Sequence, residues 1–229
     1  MQLTSARQLL ESWEALQGQP MPVRAAGLAA LLTGRSLPNV LRWSIARRDR
    51  ALFDFRAQMF GERVEAVTAC PNCAEQLEMQ LPLAQIAPSK TAARKSGFQT
   101  MHLDGAPVRC RAPNSEDLLA ISASRDVTEA RTQLIARCIQ TDDPELRERA
   151  AALLTGAPAD DVELNLMCPA CGHTWQAPFD IATFVWRELD DWAQRTLREI
   201  HLIAGAYGWS EDEILQLSAR RRQMYVEMI

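Results

Sequence analysis

Apolar residues recur at helical spacing through the first sixty positions. In "TSARQLLESWEALQ", Leu9, Leu10, Trp13 and Leu16 fall three and four residues apart, with Thr4 or Ser5 placed to cap the helix and Gly18 and Pro20 to close it. The Ala/Leu-rich "MPVRAAGLAALLTG" predicts a second helix ended by Gly34. "LPNVLRWSIARRDRALFDFRAQMFG" predicts a third, broken near Ser44, with Leu41, Ile45, Leu52, Phe55 and Met59 on one stripe and Gly61 at its end.

The period then changes from 3.6 to 2. "RVEAVTAC" and "AEQLEMQLPL" alternate apolar and polar residues, the pattern of two short strands joined by a turn. "LAQIAPSKTAARKSG" is a polar connection. "FQTMHLDGAPVRCRAP" predicts a hairpin turning at Asp104-Gly105. Three helices follow, the first capped near Ser115 in "NSEDLLAISAS", the second "VTEARTQLIARCIQ", the third starting after Pro144 in "ELRERAAALLTG". Strand alternation returns in "DVELNLMC" and "HTWQAPFD". From Ile181 to Tyr207 a near-continuous apolar stripe predicts the longest helix, about 40 Å. Beyond Gly208, Ser210 with Glu213 forms a capping box for one short helix, and Ser218 starts another.

Both alternating regions surround a Cys-Pro-x-Cys signature. Cys70 and Cys73 stand in "ACPNCAEQ", Cys168 and Cys171 in "MCPACGHT", and the chain has only six cysteines. Two thiolates on a tight turn supply half of a tetrahedral zinc site, so the two knuckles together make a four-cysteine site. Cys73 and Cys168 lie 95 positions apart, far beyond a simple zinc ribbon. Closing that loop costs about 4 kcal/mol, against about 10–16 kcal/mol from structural zinc in small peptides. The pattern therefore predicts a split zinc ribbon with a structural Zn²⁺. Two independent thiol pairs or a disulfide framework is the competing arrangement, and His173 is a candidate substitute ligand whose position just past "CPACG" more often reads as a solvent-facing strand start. A thioredoxin-like role fits less well, because neither pair sits at a strand-to-helix junction. Gly172 suits the left-handed position after Cys171, whereas Ala74 after Cys73 is strained there.

The remaining candidates carry no chemistry. Cys110 shares a strand face with Val108, and Cys138 a helix face with Leu134 and Ile135, so both read as small core residues. His102 and His201 have no carboxylate or cysteine at a telling spacing. No phosphate loop, nucleophile elbow, HExxH or paired-carboxylate motif occurs, and a thiolate-saturated zinc has no open position, so no enzyme is expected. The formal charge of −4 argues against nucleic acid and anionic membranes. "ARRRQ" and "RWSIARRDR" read as solvated helix faces, with a nucleic-acid or acidic-protein contact as the less favoured alternative. No stretch reaches the apolar length of a membrane span, and the first residues lack a signal-peptide pattern, which points to a cytoplasm and reduced thiols.

The expected class is α+β: mostly helical, with a small antiparallel sheet forming a split four-cysteine zinc ribbon that carries an inserted hairpin and helices. The expected divisions are an N-terminal helical segment over 1–61, the split ribbon over 62–180 with its insert at about 98–155, and a long helix with a short-helix arm over 181–229.

The order of parts, with "RRDR…FG…CPNC…LE" and "YGWSEDEIL" as its most specific pieces, resembles the zinc-ribbon-bearing baseplate hub assembly chaperone-like proteins of contractile phage tails and contractile injection systems. The resemblance spans most of the chain, with Ala74 departing from the commoner glycine. It implies a non-enzymatic assembly factor or baseplate component in the cytoplasm of the bacterial host or producer cell, whose partners are other tail or baseplate proteins rather than a small-molecule substrate. The rivals are a zinc-ribbon nucleic-acid binder and a thiol–disulfide oxidoreductase. In the last helices Trp209, Ile214, Leu215, Leu217, Met224, Tyr225 and Met228 must pack on something, either the protein's own core or a partner.

Overall fold

The computed structural model describes residues 5–87, 97–155 and 162–229. It is mostly helical, with small antiparallel sheets. The chain divides into two compact units, one comprising Met1–Gln19 and Thr183–Ile229, the other Pro20–Ala182.

The larger unit begins with α2 (Met21–Thr33), α3 (Leu37–Leu41) and α4 (Ile45–Phe60), which follow the α1 helix (Ala6–Leu16) of the other unit. Pro20 opens α2, where its fixed φ fits the position before the first turn. The break expected near Ser44 is real: Ser44 caps α4 by accepting the Arg47 N–H (3.4 Å). α2 packs on α3 and α4, with Ala25, Ala26, Leu28 and Ala29 buried from one side and Leu52, Phe53 and Phe55 from the other.

The first hairpin pairs β1 (Arg63–Ala69) with β2 (Gln76–Pro82). The last pairs β6 (Val162–Met167) with β7 (Thr174–Phe179). Each has one face half-buried and one exposed, as period-2 sequences dictate. A single turn, α5 (Leu83–Ile86), follows the first hairpin and touches β6.

Between the hairpins stands a third sheet. β3 (Gln99–Leu103) and β4 (Ala106–Cys110) turn through Asp104 and Gly105, both at positive φ, as the Asp-Gly pair requires. β4 also pairs with β5 (Ile139–Gln140), two residues running directly out of α7 (Val127–Cys138). α8 (Pro144–Thr155) covers β4 and β5. Cys110, Cys138, Val108 and Ile139 lie in the core beneath it, so the two remaining cysteines are packing residues as expected. Most of the polar connection after Ala87, residues 88–96, lies outside the described residues.

α6 (Ser115–Ile121) is capped by Asn114 rather than Ser115: the Asn114 side chain accepts the Asp117 N–H (3.0 Å), and the Asp117 carboxylate accepts the Asn114 N–H (2.9 Å), which completes a capping box. That carboxylate is fully buried. It accepts two bonds from Arg111 (2.5 and 2.8 Å) and one from Arg137 (2.7 Å), tying the residue just past β4 to α6 and α7. Burial pushes the Asp117 carboxyl upward, but the bonds from Arg111, Arg137 and Asn114 outweigh it and hold it below the ordinary carboxylate range.

In the smaller unit, α1 has Ser5 as its cap and Gln8 closing the box. Trp13 Nε1 donates to Asp190 Oδ1 (2.8 Å) on α9 (Ile181–Tyr207). Leu10, Ala193, Ile200, Ile203 and Ile214 are the buried core, flanked by Trp13, Trp192, Trp209 and Tyr225. α10 (Glu211–Leu215) carries the expected Ser210/Glu213 box, and α11 (Ala219–Val226) starts at Ser218.

Candidate metal centre

The two Cys-Pro-x-Cys turns have the same backbone geometry. In the first, the Ala74 N–H donates to the Cys70 carbonyl (2.9 Å), and the Cys70 N–H donates to the Glu75 carbonyl (2.8 Å). In the second, the Gly172 N–H donates to the Cys168 carbonyl (2.9 Å), and the Cys168 N–H donates to the His173 carbonyl (2.9 Å). Both turns need a left-handed residue after the second cysteine: Gly172 has φ +72° and Ala74 φ +59°. Glycine takes that conformation freely, whereas Ala74 holds its Cβ against the following carbonyl.

The knuckles converge tip to tip. Cys70 Sγ lies 3.8 Å from Cys171 Sγ, and Cys73 Sγ lies 3.6 Å from Cys168 Sγ. All four sulfurs fall within 4.8 Å of one another. A tetrahedral ion with metal–sulfur bonds of about 2.3 Å separates its sulfurs by about 3.8 Å, close to both of these distances, so the donor set fits a four-thiolate metal site. Cys70 and Cys168 are buried and Cys73 and Cys171 exposed, giving each knuckle one inward and one outward sulfur.

Electrostatics agree with a site built for a cation. Asn72 donates its side-chain N–H to Cys171 Sγ (3.6 Å), and together with a backbone bond at His173 this pulls the Cys171 thiol down to about 6. At Cys73 a backbone bond at Glu75 favours the thiolate, but the crowding of Cys171, Cys168 and Cys70 around it pushes the thiol up to about 12.

His173 does not enter the cluster. Its carbonyl serves the second knuckle, while its ring stacks on Trp175 with centroids 5.9 Å apart. Sequence reasoning misses Asn72, whose role depends on the opposite knuckle and leaves no local signal.

Residues 36–141 match a family model described as T4 bacteriophage base plate protein. The match supports a phage baseplate protein. It includes Cys70 and Cys73 and stops before Cys168 and Cys171. No curated protein and no solved structure matches the chain. No helix among the described residues is long and apolar enough to cross a membrane.

Proposed function

We propose that this chain is a non-enzymatic component or assembly factor of a contractile phage-tail-like baseplate, held in shape by a structural Zn²⁺ on Cys70, Cys73, Cys168 and Cys171, and that it works by binding other baseplate proteins in the cytoplasm of the producing cell. The observation that carries the reading is the match of residues 36–141 to the baseplate family. The cysteine cluster gives it a mechanism. An ion clasped by both knuckles ties segments 95 positions apart into one body, with roughly 10–16 kcal/mol available against about 4 kcal/mol of loop closure. Four thiolates saturate zinc, so the ion supplies rigidity and no site for water or substrate. Cytoplasmic thiols stay reduced, which keeps all four available as ligands.

The test is co-purification of the tagged chain with the other baseplate proteins of its own genome, together with elemental analysis. Stoichiometric association with one of them and about one zinc per chain are expected. Tight binding of DNA at physiological salt, or turnover in an insulin-reduction assay, would replace this reading with a nucleic-acid-binding or thiol–disulfide role.

A further inference from the structure

The seven apolar residues at the end of the chain have two different fates. Ile214 is buried, and Trp209, Leu215, Leu217 and Tyr225 are half-buried, with Trp209 and Tyr225 in edge-to-face contact at 4.9 Å. Met224 and Met228 remain 53% and 63% exposed. The rotation of α11 is fixed from within: buried Arg222 donates to Glu199 Oε2 (2.8 Å) on α9 and to the Leu217 carbonyl (3.0 Å).

At 100° per residue, that inner anchor sends Arg220, Arg221 and Met224 into one outward arc about 100° wide, and exposed Met228 follows in the turn just past the helix. Met228 is kept in line by its N–H to the Tyr225 carbonyl (3.2 Å). Neither the Arg220 nor the Arg221 guanidinium has an ion-pair partner among the described residues. Glu199 is paired with Arg222, and Glu227, which accepts from the Gln223 amide (3.1 Å), falls about 20° outside this arc and forms no ion pair with either arginine. Two uncompensated cations beside two adaptable thioethers ask for acid and apolar groups together.

We propose that the outward face of α11 is a docking surface for an acidic, apolar segment of a partner protein. This deepens the assembly reading above and rests on it for the partner's origin. Protein is favoured over nucleic acid because the face is half methionine and the chain carries a net charge of −4.

The probe is a synthetic amphipathic 18-residue peptide of leucine and glutamate, titrated into the full chain, with a leucine–lysine peptide as control. Binding that weakens with salt is expected, with at least a tenfold loss in Arg220→Glu/Arg221→Glu and a several-fold loss in Met224→Ser/Met228→Ser. All four side chains are exposed, so unchanged thermal melts verify the fold. No binding of the glutamate peptide, equal binding of the lysine peptide, or a loss confined to the arginine variant would overturn the proposal. Tighter binding of a single-stranded 20-mer DNA, or self-association abolished by the same variants, would overturn it too. Retained zinc and baseplate association with no peptide binding sinks only this face; peptide binding without baseplate association sinks the assembly reading instead.

Discussion

Cys73 Sγ and Cys168 Sγ lie 3.6 Å apart across 95 positions of sequence. Their approach makes Cys168→Ser the decisive substitution. It removes a buried ligand from the pair, and the expected result is loss of bound zinc and a marked rise in protease cleavage, read by elemental analysis and limited proteolysis. Zinc held by wild type should be released as pH falls, since protons compete for the thiolates. Full metal content in the variant would separate the two knuckles.

The paired turns differ at one residue, Ala74 against Gly172. No side chain or backbone atom lies within 4 Å of a Cβ built on Gly172, so Gly172→Ala tests backbone strain alone. It should destabilise by about 1 kcal/mol. Ala74→Gly should stabilise by somewhat less, because glycine also loosens the unfolded chain. Denaturant melts of the zinc-loaded protein measure both, and equal effects of the same sign would contradict the strain argument.

Asp117 should dominate the acid sensitivity of its part of the fold. Its folded pKa is lowered, so it binds protons more readily unfolded than folded. Its contribution is fully present above the ordinary carboxylate pKa of about 4 and disappears as pH falls through the lower folded value. Asp117→Ala should cost about 3 kcal/mol at neutral pH by stranding Arg111 and Arg137, and its stability should depend less on pH below about 4. A variant whose acid melting profile parallels wild type would reject this assignment.

In the smaller unit, Trp13→Phe keeps the apolar ring and removes the bond to Asp190. A loss of about 1 kcal/mol is expected for a half-buried bond to a charged acceptor. Hydrogen exchange of α1 amides should report it, and unchanged protection would mean that packing alone holds the helix.

What the sequence shows and what it hides divide by range. The knuckles, the Asp104-Gly105 turn, the Ser44 break and the Ser210/Glu213 box are legible because each is settled within a few residues. β5 is not: two residues leave no period, and Ile139 and Gln140 pair only because β4 is already beside them. The cap at "NSED" is ambiguous in sequence, since Asn114 and Ser115 are both capping residues. Asp117 chooses between them through its bonds to Asn114, Arg111 and Arg137, the last 20 positions away. Trp13 and Asp190 meet across 177 positions, which no local pattern encodes. The terminal apolar residues resolve into an inward set and an outward set that periodicity could not assign without knowing where Glu199 anchors Arg222.

The distance along the chain between the knuckles also sets a clock. A ribosome adding about 5–20 residues per second needs roughly 5–20 s to travel from Cys73 to Cys168. For that interval Cys70 and Cys73 are outside or nearing the exit tunnel while their counterparts do not yet exist. The two halves of the four-sulfur cluster therefore meet only after the intervening hairpin and helices have been made, so the earlier knuckle waits on the later one.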